Sequence, residues 1–297
     1  MKRNFLQAAL CLLWPAVIIA QQSKTENALL WKVTGNGLKK PSYLFGTYHF
    51  LSSGFVDTLE TVKTAYKSAD AVVGELVIDT SLQRPMMEAA VLKGTTLQQV
   101  LPDTLYAKAS DWFKQEAGLD IGQLNQLNPV TVLTAAMAIT KGKYFPNQPG
   151  EVQLDTYFQE EAKKEGKKVL GLETIQMQIK AMFEQLTLQR QVELLDETFK
   201  DKDALRRLIG IMNNAYISQN LNQLQELMYG SSYRPEEMKI LLDDRNNYYW
   251  MQQLPGLMKD QSLFVAVGAL HLVGNSGLVN QLKEQGYTVT PVNLKNK

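Results

Sequence analysis

The pattern of apolar and polar positions predicts a strand, a helix and a second strand near the start of the chain. An apolar run, YLFGTYH (43–49), contains Gly46 and precedes TLETVKTAYKSA (58–69), in which apolar residues recur at helical spacing. AVVGELVI (71–78) then has the β-branched residues of a buried strand. A β–α–β unit of this kind joins parallel strands whose faces are covered.

The end of the chain repeats this order of patterns. SLFVAVG (262–268) is typical of a buried strand, SGLVNQLKEQ (276–285) has helical spacing, and YTVTPV (287–292) returns to a strand pattern. We expect Ser276 to cap the helix and Gly286 to end it. The two units indicate an α/β fold with a duplicated β–α–β core and Gly-x-x-His loops at strand ends.

Helical periodicity dominates the sequence between the two units. It predicts a large helical insertion or lid, roughly residues 97–165 and 174–260, interrupted by one short strand pattern, KKVLGLE (167–173). No Gly/Ser-rich or Pro-rich linker divides these stretches. We therefore expect a single α/β domain over residues 21–297.

Residues 1–20 have the features of a secretory signal peptide. MKRNFLQAALCLLWPAVIIA combines a basic start, a short apolar stretch and a small residue, Ala20, before polar sequence. The apolar stretch is short for a bilayer span and contains Pro15. We expect cleavage after Ala20 and an exported mature protein, periplasmic or secreted, without a transmembrane span.

The composition after this segment limits the chemistry. The one cysteine, Cys11, lies within the signal, so thiolate chemistry and disulfides are excluded from the mature protein. Removal of the signal takes away two of the 31 Lys and Arg residues, and 29 cations then face 30 acids, a formal charge of −1. A nearly neutral protein has no long-range field that attracts nucleic acid.

Both histidines of the chain occur in the same Gly-x-x-His frame, more than two hundred positions apart. Gly46 precedes His49, and Gly268 precedes His271. Ligands of parallel α/β sheets bind beyond the carboxyl ends of the strands, and glycine there lets the backbone turn sharply. A single histidine in such a loop is usually structural, but the repeated frame favours a shared site. Two imidazoles and a carboxylate are common ligands of a divalent transition metal, and Glu75 is the first candidate for that carboxylate beside His49 and His271.

Two acids and two polar residues complete the predicted site. Glu75 interrupts an apolar strand pattern, where a carboxylate is costly unless it is paired or bound to a metal, and Glu173 ends a predicted strand. The sequence leaves open which acid binds metal and which acts as a base. Arg245 and Asn246 are available to hold a substrate or an oxyanion. Each also has a structural explanation: a salt bridge or an edge-strand charge for Glu75, a helix N-terminus for Glu173, and a solvated helix face for the other two.

Other catalytic classes lack their motifs. The chain contains no His-Glu-x-x-His, no Gly-x-Ser-x-Gly and no P-loop. GTYHFLSSG (46–54) lacks the Gly-x-Gly of a pyrophosphate-binding turn. The sequence therefore predicts no nucleotide cofactor.

In combination, these motifs resemble the TraB/GumN family. The resemblance rests on YLFGTYHFL, ADAVVGEL, LDTYFQEEAKKEGKKVLGLET, the Arg245–Asn246 pair and VAVGALHLVGNSGLVNQLKEQGYTV, and it spans about Leu30 to Val292. The family is similar to the TIKI proteins, which are membrane-associated metalloproteases. The resemblance implies a duplicated α/β core around a divalent metal, manganese or cobalt, with zinc as an alternative. By position, it implies site roles for His49, Glu75, Glu173, Arg245, Asn246 and His271.

The sequence therefore predicts a metal-dependent hydrolase of the peptidase-like kind, which acts on a peptide or protein in the cell envelope. The alternative is a non-catalytic protein that binds a peptide or an envelope ligand in the same cleft. A third hypothesis is a structural envelope component whose histidines brace the loops.

Overall fold

The computed structural model describes residues 26–230 and 233–294. The predicted signal peptide lies outside the described residues. Helices surround one six-stranded sheet, which confirms the predicted α/β class. The strands are β1 (Leu30–Gly35), β2 (Ser42–Thr47), β3 (Ala71–Gly74), β4 (Lys168–Gly171), β5 (Leu263–Gly268) and β6 (Tyr287–Pro291).

The sheet is mixed, with the order β4-β3-β5-β2-β1-β6. Strands β4, β3, β5 and β2 run parallel to one another, whereas β1 is antiparallel to both β2 and β6. Thr47 at the end of β2 pairs with Gly268 at the end of β5. The carboxyl ends of the four parallel strands therefore meet at one edge of the sheet.

Helices follow β2 and β3 and fill both long stretches that flank β4. The α-helices are α1 (Ser53–Asp57), α2 (Glu60–Ser68), α3 (Gln83–Ala90), α4 (Leu97–Val100), α5 (Asp103–Ala117), α6 (Pro129–Tyr144), α7 (Leu154–Lys164), α8 (Ile175–Ile179), α9 (Leu188–Phe199), α10 (Ala204–Ile217), α11 (Leu221–Tyr229), α12 (Pro235–Met238), α13 (Leu254–Asp260) and α14 (Leu278–Glu284). Short 3-10 helices are Thr80–Leu82, Ile121–Leu124 and Ala269–Leu272, and π-helices are Lys180–Glu184 and Lys239–Trp250.

Strand β3 is shorter than its apolar pattern predicts. The pattern runs to residue 78, but the strand ends at Gly74. The reason is Gln159 of α7, whose side-chain amide donates to the Leu76 carbonyl at 2.8 Å and accepts from the Ile78 N–H at 2.8 Å. These bonds satisfy backbone groups that a longer strand would have paired. Glu75 consequently lies just beyond the strand and not within it.

The pairing of the sheet does not demonstrate the predicted duplication. One strand, β5, separates β2 from β3, whereas two strands separate β5 from β6. The duplication stays a prediction, as does the interpretation of the helical stretches as an insertion.

The buried side chains form one large core and smaller clusters. The large core covers both faces of the sheet and includes the aromatic residues Trp31, Phe45, Phe158 and Phe264. A separate cluster joins α4, α5, α6 and α9 through residues such as Leu97, Phe113, Val132 and Leu195. Helices α4, α5 and α6 therefore pack mainly against other helices, whereas α7 packs against the sheet.

The fold also bears on two further predictions from the sequence, the cap of the last helix and the lack of a membrane span. Helix α14 begins after Gly277, and the Ser276 hydroxyl donates instead to Asp243, so the predicted cap is wrong. The helix begins one residue later than the pattern indicates, with Gly277 at the cap position. Within residues 26–230 and 233–294, no helix has the length and apolar character that a bilayer crossing requires.

Candidate functional site

Glycines at the ends of the parallel strands let neighbouring segments cross closely. A Cβ on Gly46 would lie 2.9 Å from the Cα and Cβ of Ala269, and a Cβ on Gly171 would lie 2.9 Å from the backbone nitrogen of Val77. A Cβ on Gly268 would lie 3.2 Å from a carboxylate oxygen of Glu75. Both motif glycines therefore make room: Gly46 for the loop after β5, and Gly268 for an acid of the site.

Glu75 and Glu173 lie next to each other after β3 and β4. The Glu173 N–H donates to the Glu75 carbonyl at 2.8 Å, which continues the strand pairing by one step. One carboxylate oxygen of Glu75 accepts from the Gly268 N–H at 2.9 Å, and the other accepts from the Gln178 amide at 3.2 Å. Glu173 is 8% exposed. The backbone thus brings two acids together at the sheet edge.

Arg245 is the cation that pairs with both acids. Its Nε and Nη2 donate to the two oxygens of Glu173 at 2.7 and 3.1 Å, and Nη2 also donates to Glu75 at 2.5 Å. Trp250 donates its indole N–H to Glu173 at 2.7 Å, and its ring centroid is 5.2 Å from the guanidinium carbon. The guanidinium is planar and carries several donors, so it can bind both carboxylates at once.

These surroundings shift the pKa values of Glu75 and Arg245 in opposite directions. Burial alone would raise the pKa of Glu75, but the positive charge of Arg245, the two histidines and the Gly268 N–H together outweigh burial, and the pKa falls to about 2. Burial would lower the pKa of Arg245, but the charges of Glu75 and Glu173 raise it further above its usual range. Glu75 is therefore a carboxylate and Arg245 a cation at neutral pH.

Asn246 fixes the orientation of His271. The Asn246 amide nitrogen donates to the carbonyls of His271 and Ser276 at 3.1 and 2.9 Å, so the amide oxygen faces the ring. That oxygen accepts from His271 Nδ1–H at 2.7 Å. His271 Nε2 then accepts from Arg245 Nη1 at 3.1 Å, because a guanidinium can only donate. Burial, with the charge of Arg245, lowers the pKa of His271 to about 3, and the imidazole is neutral.

His49 has the opposite surroundings. Its side chain is 68% exposed, and Nδ1 lies 2.9 Å from an oxygen of Asp155. The other Asp155 oxygen accepts from the Thr47 hydroxyl at 2.6 Å. The hydrogen bond and charge of Asp155, with a further effect of the charge on Glu75, raise the pKa of His49 to about 9. His49 is therefore a cation at neutral pH and is held by an acid from α7.

Several of these groups line one pocket of about 400 Å³. Its polar lining is His49, Glu75, Asp155, Gln159, Gln178 and Arg245. Its apolar lining comes from the segment after β3 and from the helices around it, and includes Leu76, Ile78, Leu82, Met86, Ile175, Met182 and Leu241. A charged wall therefore faces an apolar one, as in many small-ligand sites.

The structure brings the predicted residues to one sheet edge but separates them into two layers. His49, Glu75 and Arg245 line the pocket, whereas Glu173, Asn246 and His271 are buried and are 8%, 1% and 4% exposed. Sequence reasoning missed Asp155, Gln178 and Trp250. Asp155 does occur at the start of LDTYFQEEAKKEG, but no spacing rule connects it with a histidine 106 positions earlier.

The predicted metal ligands do not form a metal site in this arrangement. His271 Nε2 and the nearer oxygen of Glu75 are 4.0 Å apart. The Arg245 guanidinium donates to that nitrogen and to the other oxygen of Glu75, and the Gly268 N–H donates to the nearer one. His49 is paired with Asp155 instead. Across the described ranges, no three His, Cys, Asp or Glu side chains are grouped so that they could hold a metal ion.

Comparison with known proteins identifies both a family model and curated relatives. The model of the TraB/PrgY/gumN family matches residues 29–291. The metalloproteases TIKI2 of Danio rerio and TIKI1 and TIKI2 of Xenopus tropicalis are each 24% identical to the chain over 318 residues. The alignments cover 89–90% of this chain and 59–61% of the relatives, so the chain spans about three fifths of their length. No solved structure is significantly similar.

Proposed function

The chain belongs to the TraB/PrgY/gumN family, and we propose from that premise that it is a metalloprotease-like hydrolase that cleaves peptide substrates in the cell envelope. The observation that carries the proposal is the pocket in which His49, Glu75 and Arg245 face an apolar wall. The identity with the TIKI metalloproteases supports the reaction class. The apolar stretch at residues 1–20 supports export.

His49 is the group that we assign to proton transfer. It is exposed in the pocket, and Asp155 holds its Nδ1 while Thr47 holds Asp155. An acid that orients an imidazole in this way leaves the other ring nitrogen for the reacting group. His49 is a catalytic residue in this proposal, and Asp155 is a positioning residue.

One amide donor at the pocket suits a developing oxyanion. Gln178 lines the pocket and donates one amide hydrogen to Glu75, so the other hydrogen is available. Arg245 also lines the pocket, but its five N–H groups all donate to protein acceptors, so its charge and not a free N–H acts on the oxyanion. Donors fixed before the reaction stabilise charge that develops on a carbonyl oxygen. Asn246 is buried, and both of its amide hydrogens are used on backbone carbonyls. We therefore assign Asn246 a positioning role for His271.

The apolar wall favours a peptide with an apolar side chain near the scissile bond. Leu76, Ile78, Met86 and Met182 contribute to that wall. Burial of a leucine-sized side chain there contributes about 1.5–3 kcal/mol to binding. A charged side chain at the same position loses its hydration without gaining a partner.

Dependence on a divalent metal, manganese or cobalt with zinc as an alternative, belongs to the proposal through the metalloprotease relatives. The residues do not fit a metal as they are arranged, so none of the assigned roles passes through one. Nothing in residues 26–230 or 233–294, or in the names of the relatives, favours the alternative of a non-catalytic binding protein.

The test is cleavage of a peptide library by the purified protein, read by mass spectrometry. It is run with EDTA and with added manganese, cobalt or zinc. His49→Ala is expected to abolish cleavage, and Asp155→Asn to lower kcat more than it changes KM. The matched control is Asp70→Asn, since Asp70 also forms an ion pair, with Lys40 at 2.9 Å, but precedes β3 at the opposite sheet edge. Full activity of His49→Ala, or intact peptides under every condition, would overturn the proposal.

A further inference from the structure

A second pocket, with a volume of about 130 Å³, adjoins the pocket of about 400 Å³ at the candidate site. Ala181, Met182 and Leu241 line both pockets. Two of them belong to the π-helix Lys180–Glu184 and the third to the π-helix Lys239–Trp250, and π-helical segments are frequent at functional sites. The first and second pockets are therefore two parts of one cleft, with these three side chains between them.

The wall of the second pocket is largely apolar. Val130, Leu186 and Ile240 line it together with the three shared side chains. Val130 and Leu186 belong to a small cluster of buried apolar residues, which holds them in place. An engineered apolar cavity of roughly 150 Å³ binds benzene, and the second pocket has nearly that volume. It therefore has the right size for one apolar side chain such as that of leucine.

Glu237 also lines the second pocket, but its charge is already matched. Its two oxygens accept from Nε and Nη2 of Arg190 at 2.7 and 3.1 Å, and one of them also accepts from the Arg234 N–H at 2.8 Å. Bidentate pairs of this kind are strong. A basic side chain that entered the pocket would lose its hydration without gaining an unpaired acid. The second pocket therefore favours an apolar occupant over a cationic one.

We propose that the second pocket binds a second apolar side chain of the same peptide, so that the preferred peptide carries two apolar side chains, one for each pocket. The inference rests on the proposed function for the identification of the ligand as a peptide. His49 lies in the first pocket, so the second pocket selects the peptide and takes no part in the cleavage of the bond.

Met182 is the shared side chain that can adjust to a peptide lying across both pockets. It is 37% exposed. Methionine is unbranched and flexible, and it fits its shape to the groups that pack on it. A peptide that reaches from one pocket to the other is expected to cover this side chain. The Met182 methyl group is therefore a reporter for occupation of the whole cleft.

The experiment compares capped alanine-based peptides that carry one leucine with peptides that carry two leucines separated by alanine spacers of increasing length. Each peptide is titrated calorimetrically into protein with His49→Ala, so that it stays intact. At one spacing, the two-leucine peptide is expected to bind about tenfold more tightly than the one-leucine peptide, or more, because a second leucine leaves water. Lysine in place of the second leucine is expected to give no gain. Equal gain from lysine, or no gain at any spacing, would overturn the proposal.

Thr134→Phe, added to the same protein, tests whether the gain arises in the second pocket. Thr134 lines that pocket from α6, is exposed, and donates its hydroxyl to the Val130 carbonyl at 2.9 Å. A phenylalanine there is expected to fill the pocket and remove the gain, while the one-leucine peptide binds as before. Thr198→Phe is the matched control and keeps the gain. Thr198 donates in the same way to the Leu194 carbonyl at 2.9 Å, and it is not among the described residues that line either pocket.

A second variant and a second measurement cover the case in which Thr134→Phe does not fold. Gln185→Phe fills the second pocket from another segment, since Gln185 is exposed and also lines it. In methyl NMR spectra, the two-leucine peptide is expected to shift Ile78 of the first pocket, Ile240 of the second pocket and Met182 between them. A gain that persists in the folded phenylalanine variants, or that leaves Ile240 unshifted, would contradict the proposal.

These measurements separate the second pocket from the proposed function. Peptides that bind across both pockets but are never cleaved by the parent protein would overturn the hydrolase and support the role of the second pocket. Peptides that are cleaved, but gain nothing from a second leucine, would overturn the role of the second pocket alone.

Discussion

The same four-residue frame places the two imidazoles of the chain in opposite surroundings. His49 is exposed and faces the carboxylate of Asp155, whereas His271 is buried between Asn246 and Arg245. The frame is visible in the sequence because it depends on four adjacent positions. The surroundings are not, because the partners come from distant helices. One motif therefore supplies a charged ring at the pocket and a neutral ring behind it.

The first prediction is that the two rings titrate far apart. In NMR spectra of the histidine ring protons, we expect His49 to titrate near pH 9 and His271 to stay neutral down to about pH 3. Asp155→Asn is expected to lower the pKa of His49, because the hydrogen bond to Asp155 is the largest cause of its rise. Asp70→Asn serves as the control and leaves both rings unchanged. Two midpoints close to the ordinary value of about 6.5 would contradict this assignment.

The second prediction concerns stability and pH. The pKa of His49 is raised in the folded state, so the ion pair with Asp155 stabilises the fold fully below the unfolded value of about 6.5. This contribution is lost as the pH rises through about 9. In urea unfolding, the free-energy difference between the parent and Asp155→Asn is therefore expected to shrink between about pH 6 and pH 10. A difference that grows with pH would have the wrong sign.

At the scale of single residues, much of the candidate site can be predicted from the sequence. The histidines, the two acids and the Arg245–Asn246 pair all reach the same sheet edge. Their contacts could not be read, because Arg245 reaches both acids from a helix whose position no pattern in the sequence gives. Asp155 and Trp250 could not be found either, since helix packing and not sequence spacing brings them to the site.

At the scale of elements, glycine decides how closely the loops cross at the ends of the parallel strands. Strand β2 approaches the 3-10 helix Ala269–Leu272 so closely that Gly46 has no room for a Cβ. The Tyr216 hydroxyl also donates to the Gly46 carbonyl at 2.6 Å. The two Gly-x-x-His loops are adjacent because of this contact, and the sequence indicated the glycine without its neighbour.

The third prediction compares two glycines. Gly46→Ala is expected to destabilise the protein by about 1–3 kcal/mol, because the new methyl group overlaps the Ala269 backbone. Gly142→Ala is the control, since Gly142 lies within α6 and an added methyl group there would have no neighbour within 4 Å outside its own helix backbone. That change is expected to stabilise by about 0.5–1 kcal/mol through helix propensity. Urea unfolding measures the free energy of unfolding of both variants. Equal changes would contradict the close contact between Gly46 and Ala269.

Element boundaries were predicted less well than element types. The strand pattern at residues 71–78 ends early because a glutamine on α7 takes over the backbone groups of Leu76 and Ile78. Helix α14 begins beyond the serine that the sequence offers as a cap. In both cases a distant side chain competes with a local preference, which the pattern of neighbouring residues cannot reveal.

At the scale of the whole molecule, the α/β class followed from the alternation of patterns, but the strand order did not. The order depends on pairing between segments that lie far apart in sequence. Arg245 links segments that are far apart in the sequence. Its π-helix belongs to the stretch between β4 and β5, and its partners lie after β3, β4 and β5. The hydrogen bonds of Arg245 to Glu75, Glu173 and His271 therefore fasten the helical part to the sheet.

The fourth prediction tests this fastening. Arg245→Met is expected to lower the free energy of unfolding by about 3–5 kcal/mol, because two buried carboxylates lose their partner. The triple variant Arg245→Met, Glu75→Gln, Glu173→Gln is expected to recover much of the loss, since no charge then remains unpaired. Urea unfolding measures both proteins. A triple variant as unstable as the single one would show that packing and not charge is responsible.

Strand β5 is fifth of six along the chain but pairs between β2 and β3. Strands β2 and β3 precede their common partner by roughly two hundred residues, and until that partner is in place each exposes an unpaired edge. The sheet can therefore close only when the last part of the chain is present, and such long-range closure is slow and prone to aggregation. Before closure, the facing edges of β2 and β3 are where a strand of a second chain would mispair.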